Sequence, residues 1–146
     1  LNRLVFGWIS KFEVLFHEQL VRYLFRFVHE KVNSEFNELY TWSDIYKLPQ
    51  AYRVSGPWPG LAAHTDNQKG RDLAMIIYLS SSWKPEYGGE LQLLKKEDGR
   101  LSLIKSIEPT FNRAVFFPLN ADSWHAVSPI VSNWDRLTLI QDWQKK

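Results

Sequence analysis

Apolar positions recur along this chain with two different periods. From Lys11 to about Phe36 they fall at helical spacing: Phe12, Leu15, Phe16, Leu20, Tyr23, Leu24, Phe27, Val28 and Val32. Lys11, Glu18, Arg22, Arg26 and Glu30 fill the other side, which predicts an amphipathic helix. Asn33-Ser34 either ends that helix or opens a second short one through Tyr46, and Pro49 then punctuates the chain.

From about residue 50 the period shortens to that of strands broken by turns. Leu73 to Leu79 is an apolar run bounded by Gly70 and Ser80-Ser81-Ser82, and Glu90 to Leu94 follows Gly88-Gly89. Asp98-Gly99 separates that strand from Leu101 to Lys105, a strong hairpin signal. Ala114 to Phe117, Trp124 to Val127 and Arg136 to Trp143 come next, each beside a Pro, Asn or Asp turn. Seven or eight short strands after a helix predict a mainly β fold with flanking helices. The expected form is a double-stranded β-helix, the cupin-like jelly-roll barrel, with the N-terminal helices supporting it from outside. Residues 1–48 would be helical support and residues 49–146 the core of one domain.

Composition narrows the chemistry. Seven Trp, six Tyr and nine Phe in 146 residues favour a packed core over disorder. A net charge of +2 without a long basic run gives no electrostatic footprint for nucleic acid. No apolar run reaches membrane-spanning length. The chain contains no Cys, which excludes disulfides, thiolate metal sites and a Cys nucleophile, and fits a reducing, cytoplasmic setting. It begins at Leu1 and its only methionine is Met75, so a trimmed or processed fragment is expected.

The candidate chemistry is concentrated in His64-Thr65-Asp66, His125 and Arg136. Side chains two apart on a strand share a face, so His64 and Asp66 would project together. His125 from a distant strand completes two imidazoles and one carboxylate, a facial triad that leaves positions open on a non-haem Fe(II). His17 and His29 fall in the predicted helix without a matching carboxylate and read as structural.

Arg136 and Thr138 share a face of the last strand by the same rule. If that face is inward, the buried guanidinium demands an anion, and a dicarboxylate cosubstrate would meet it in a forked pair. The bland alternative is an outward Arg136 paired with Asp135 or Asp142. Tyr78, the only hydroxyl in its apolar run, needs a partner if it faces the barrel interior. Leu91 and Leu93 share a face of the next strand and read as core.

These residues resemble the prolyl-4-hydroxylase-like branch of the Fe(II)/2-oxoglutarate dioxygenases. The resemblance runs through His64-Thr65-Asp66-Asn67, Gly70-Arg71, Ile76-Ile77-Tyr78-Leu79, Trp83 and Gly88-Gly89-Glu90-Leu91. It continues through Ile107-Glu108-Pro109, Asn112-Arg113, Phe116-Phe117, Ser123-Trp124-His125-Ala126-Val127, Arg136-Leu137-Thr138 and Trp143. It covers about residues 51 to 143. The family implies iron at His64, Asp66 and His125, 2-oxoglutarate at Arg136, Tyr78 and Tyr52, and a primary substrate near Arg71 and Trp143; the shared strand face adds Thr138 to the 2-oxoglutarate contacts. It also implies dioxygen as co-reactant, ascorbate as a reductant, and succinate and carbon dioxide as products.

The segment Ser55-Gly56-Pro57-Trp58-Pro59-Gly60 departs from the pattern in being longer and richer in Pro. The expected target is a prolyl residue in a peptide or protein, with Trp58, Trp83, Trp124 and Trp143 as a candidate aromatic rim. A free amino acid or other small metabolite is the enzymatic alternative. A non-catalytic jelly-roll binding module and a zinc hydrolase are rivals from other classes. The hydrolase lacks a His-Glu-x-x-His helix and leaves Arg136 without a role.

Overall fold

The computed structural model describes residues 26, 30, 40–43 and 49–146. The helix expected from Lys11 to Phe36 lies outside these, except for Arg26 and Glu30, and so do His17 and His29. Arg26 and Glu30 are helical and exposed, and their side chains pair at 3.6 Å across one turn. The short helix expected through Tyr46 is interrupted: Tyr40–Trp42 forms strand β1. A Tyr-Thr-Trp sequence favours an extended backbone, since aromatic and β-branched side chains fit a pleated surface. The chain divides into two compact units, residues 1–41 with 146, and 42–145.

The second unit is built from antiparallel strands in two sheets. They are β2 (Gln50–Ser55), β3 (Leu61–His64), β4 (Leu73–Tyr78), β5 (Leu91–Glu97), β6 (Arg100–Ile107), β7 (Ala114–Pro118), β8 (His125–Val127) and β9 (Asp135–Lys145). One sheet runs β2-β9-β4-β7 and the other β3-β8-β5-β6. Successive strands change sheet at nearly every connection, and this alternation makes the double-stranded β-helix. The β5–β6 hairpin is the exception. Asp98 and Gly99 both take positive φ, 49° and 76°, as the tight turn inferred from Asp-Gly requires.

The core lies between the sheets. Ala74, Ile76, Tyr78, Leu91, Phe117 and Leu119 are buried together, with Leu93, Ile107, Val115 and Ile140 packed against them. Fully burying a side chain such as Leu91 contributes about 2 kcal/mol. Even-numbered residues of β4 and β9 point into this core, so Arg136, Thr138 and Asp142 share its side of the sheet.

Gly88-Gly89 joins the sheets where the backbone runs too close for a side chain. A Cβ on Gly88 would lie 1.9 Å from the Pro129 carbonyl oxygen. At Gly89, with φ of 83°, a Cβ would press on Ile130 and Trp134 and narrow the passage of the Arg136 side chain. Among the described residues, no helix is long and apolar enough to cross a membrane.

Candidate active site

β3 and β8 pair so that His64 stands directly opposite His125, with ring centroids 4.4 Å apart. The register shifts between Leu61 and His64, a bulge that inserts one residue. Without it Leu61 and His64, three positions apart, would face opposite sides; with it both line the same cavity. Strand β3 ends at His64, so Asp66 is not on a strand as the alternation rule supposed. It is carried back toward the imidazoles by the irregular segment 65–68.

The ligand-capable atoms of His64, Asp66 and His125 all lie within 4.8 Å of one another. Asp66 Oδ1 is 3.8 Å from His64 Nε2, and Asp66 Oδ2 is 3.6 Å from His125 Nε2. Each ring is oriented from behind. His64 Nδ1–H donates to the Ala62 carbonyl at 2.8 Å, and His125 Nδ1–H to the Ser123 carbonyl at 2.9 Å. These bonds fix each ring so that its Nε2 faces Asp66, where it can ligate a metal once it carries no proton. Phe117 packs edge-on against His125, with centroids 5.0 Å apart.

Asp66 is held at a pKa of about 2, chiefly by its hydrogen bond with His125 and further by Arg71, against the opposing effect of burial. The donor set is therefore two oriented imidazole nitrogens and a carboxylate that stays ionised. It fits a hard-to-borderline divalent metal such as Fe(II).

The cavity around this triad has a volume of about 350 Å³, at the small end of small-molecule sites. Its walls include Ala74, Ile76, Leu91, Phe117 and Val127, with Tyr52, Trp58 and Leu61 among the lining residues. From β9 it receives Arg136, Thr138, Ile140 and Asp142, all of one parity.

Arg136 is inward and 6% exposed. The carboxylates that could have paired with it outside are engaged elsewhere, Asp135 by Arg53 and Asp142 by Arg71. The Arg136 Nε–H donates to the Gly89 carbonyl at 3.0 Å, and its guanidinium carbon sits 5.2 Å from the centre of the Tyr78 ring. Burial lowers its pKa from the ordinary guanidinium value, with Tyr78 opposing.

Thr138 is flanked in register by Tyr52 of β2 on one side and Tyr78 of β4 on the other. Among the described residues the hydroxyls of Tyr78 and Thr138 are buried and find no hydrogen-bond partner. A buried cation without a carboxylate, beside two such hydroxyls, matches an oxygen-rich anion of the 2-oxoglutarate type. Tyr52 is 48% exposed and lines the cavity despite the Pro-rich segment that comes after it. That segment is anchored by reciprocal backbone hydrogen bonds between Trp58 and Ile130, both 2.9 Å.

Two expectations need correction. Trp143, expected beside the substrate, has the opposite parity from Arg136 and Asp142, is fully buried, and is not among the lining residues. The aromatic rim also reduces to Trp58. Trp83 donates to the Gly88 carbonyl and Trp124 lies under the Lys96 ammonium at 4.7 Å. Arg71 does line the cavity, but its guanidinium bridges Asp66 at 3.1 Å and Asp142 at 2.5 Å.

Asp142 enters the sequence reading only as an outside partner for Arg136. Its shared parity with Arg136 and Thr138 was the available signal: a carboxylate on an inward face needs a cation. The carbonyls of Ala62 and Ser123 carry no side-chain signature and cannot be read from sequence.

The family model described as the 2OG-Fe(II) oxygenase superfamily matches residues 56–145. Over 85 residues, 57% of this chain, the sequence is 34% identical to "Prolyl 3-hydroxylase OGFOD1" of Mus musculus and spans 16% of that protein. Over the same length it is 33% identical to the Xenopus laevis protein of that name and spans 17% of it. The chain thus covers about a sixth of the length of these curated relatives. Among solved structures it resembles a prolyl hydroxylase in complex with a hypoxia inducible factor oxygen degradation domain peptide fragment from Trichoplax adhaerens. That match has a TM-score of 0.59 at 22% identity and covers 75% of this chain and 47% of the other, a likeness of fold.

Proposed function

The chain belongs to the 2OG-Fe(II) oxygenase superfamily, and we propose that it hydroxylates an unactivated C–H bond of a prolyl residue in a peptide or protein. One observation carries this reading. The His64, Asp66, His125 cluster and the buried, carboxylate-free Arg136 line the same cavity. The prolyl target is supported by the relatives, which are named prolyl 3-hydroxylases.

His64, Asp66 and His125 would hold Fe(II), the two histidines through Nε2. Arg136 would bind the far carboxylate of 2-oxoglutarate, with Tyr78 and Thr138 donating their hydroxyl protons and Tyr52 closing the side toward β2. When bound, Fe(II), 2-oxoglutarate and dioxygen together supply an oxidation that yields succinate, carbon dioxide and a hydroxylated carbon. Ascorbate would serve as accessory reductant.

The protein's own work is placement and exclusion. Ile76, Leu91, Phe117 and Val127 give the cavity an apolar inner wall, which would strengthen each charge contact within it once water is displaced. Trp58, Tyr52 and Leu61 present an apolar, partly aromatic surface to an entering pyrrolidine ring.

The test has two arms. Anaerobic addition of Fe(II) and then 2-oxoglutarate is expected to give a weak visible charge-transfer band that His125→Ala lacks. With dioxygen and proline-containing peptides, succinate release should rise and a peptide should gain one oxygen by mass. A folded, metal-loaded protein giving neither band nor succinate would refute the oxygenase reading. Succinate released with free amino acids but never with peptides would refute the peptide target.

A further inference from the structure

Behind the triad carboxylate stand two side chains with no assigned part in holding metal or cosubstrate. Asp142 is 2% exposed, and its Oδ2 accepts the Arg71 Nε–H at 2.5 Å. Arg71 Nη2 lies 3.1 Å from Asp66 Oδ2. A guanidinium is a planar fork, so fixing its Nε edge fixes where Nη2 points.

Both ends of this relay are held by backbone. Arg71 N–H donates to the Gln68 carbonyl at 3.0 Å, and Asp72 N–H to the Trp143 carbonyl at 2.7 Å. The Ser43 hydroxyl reaches the Gly70 carbonyl at 2.6 Å while the Ser43 N–H donates to the Asp142 carbonyl at 3.2 Å. The turn carrying Arg71 is therefore stitched to the end of β9 that carries Asp142.

Resting on the metal site proposed above, we propose that Asp142 is a positioning residue. It clamps Arg71 so that the guanidinium holds one oxygen of Asp66 and leaves the carboxylate in a single orientation toward a divalent metal. Arg71 then serves the ligand and not the primary substrate, and its charge is absorbed by Asp66 and Asp142 together. The cavity wall on this side is correspondingly unsuited to an acidic group on the substrate. Partners that orient metal ligands from behind typically change metal affinity by about 10- to 100-fold.

The test is titration of the metal-free, full chain with Co(II), reading affinity and the visible absorption that reports ligand geometry. Asp142→Ala and Arg71→Ala should each weaken Co(II) by roughly tenfold and alter the band. The double variant should lose no more than either single one, because the two act as a unit. Asp142→Asn, which keeps the shape and removes the charge, decides the matter if the alanine variant does not fold: a smaller loss in the same direction supports the role. Wild-type affinity and band in a folded Asp142 variant, or additive losses in the double variant, would overturn it. A wild-type chain that binds no Co(II) would overturn the metal reading as well, so the two failures are distinguishable.

Discussion

His64 and His125 face each other across a strand pair, ring centroids 4.4 Å apart, because a bulge in β3 turns His64 inward. The imidazoles come from residues 61 positions apart in sequence (125 − 64), and the shorter loop from His64 adds Asp66 beside them. Their placement depends on the pairing of β3 with β8 and not on local sequence.

Asp66 is the one anionic member of that cluster. Asp66→Ala should abolish iron-dependent succinate release while leaving the fold intact, because its side chain is 30% exposed and outside the apolar core. Circular dichroism checks the fold and a succinate assay the activity. Undiminished turnover would remove Asp66 from the ligand set.

Arg136 separates cosubstrate binding from metal binding. Arg136→Ala should weaken 2-oxoglutarate by about 3 kcal/mol, on the order of a hundredfold, as truncation of one partner of a buried charge pair does. Fe(II) affinity without cosubstrate should stay within about threefold, since Arg136 is held by the Gly89 carbonyl and the Tyr78 ring and does not orient a ligand from behind. Isothermal titration of each component checks this. Parallel losses of both affinities would mean that Arg136 supports the fold of the site.

Tyr78 gives a dependence on pH with a defined sign. Burial raises its phenol pKa above the ordinary value of 10.0, with the Arg136 charge opposing. The folded chain therefore keeps the proton where the unfolded chain releases it. The stability this represents is complete below pH 10 and is lost as pH rises above it. An absorbance titration of phenolate formation should show one late-ionising group that Tyr78→Phe removes. Tyr78→Phe should also flatten the fall in melting temperature at alkaline pH. A Tyr78 that ionises at the ordinary phenol value would contradict its burial beside Thr138.

Much of the fold was legible because local rules governed it. The short apolar runs from residue 73 onward, the Asp98-Gly99 turn and the paired glycines at 88–89 each express a backbone requirement that sequence displays. Arg136 and Thr138 were legible by parity on a long, regular strand. Parity failed where regularity did: the β3 bulge and the irregular segment after it carry His64 and Asp66, so the correct grouping rested on a rule the backbone does not obey there. Trp143 misled in the opposite way. The family resemblance suggested a substrate contact there, while its odd position on β9 places it on the opposite face from the cavity. The Arg71–Asp142 pair joins residues 71 positions apart and has no local signature at all.

Thr138 yields a prediction in which stability and binding move in opposite directions. Its Oγ1 is buried without a partner among the described residues, and the residue is only 1% exposed. An unpaired buried hydroxyl costs roughly 1–3 kcal/mol relative to a hydrated one. Valine has the same shape, so Thr138→Val should raise the stability of the ligand-free chain by about 1 kcal/mol. The same change deletes a donor to 2-oxoglutarate and should weaken its binding by about five- to tenfold, the worth of one ordinary hydrogen bond. Thermal melting with and without saturating 2-oxoglutarate checks both halves at once: the variant should melt higher alone and gain less from the ligand. A variant that melts lower alone would mean that the hydroxyl already has a partner in the folded chain. One that gains as much from the ligand as the parent would place the cosubstrate away from Thr138.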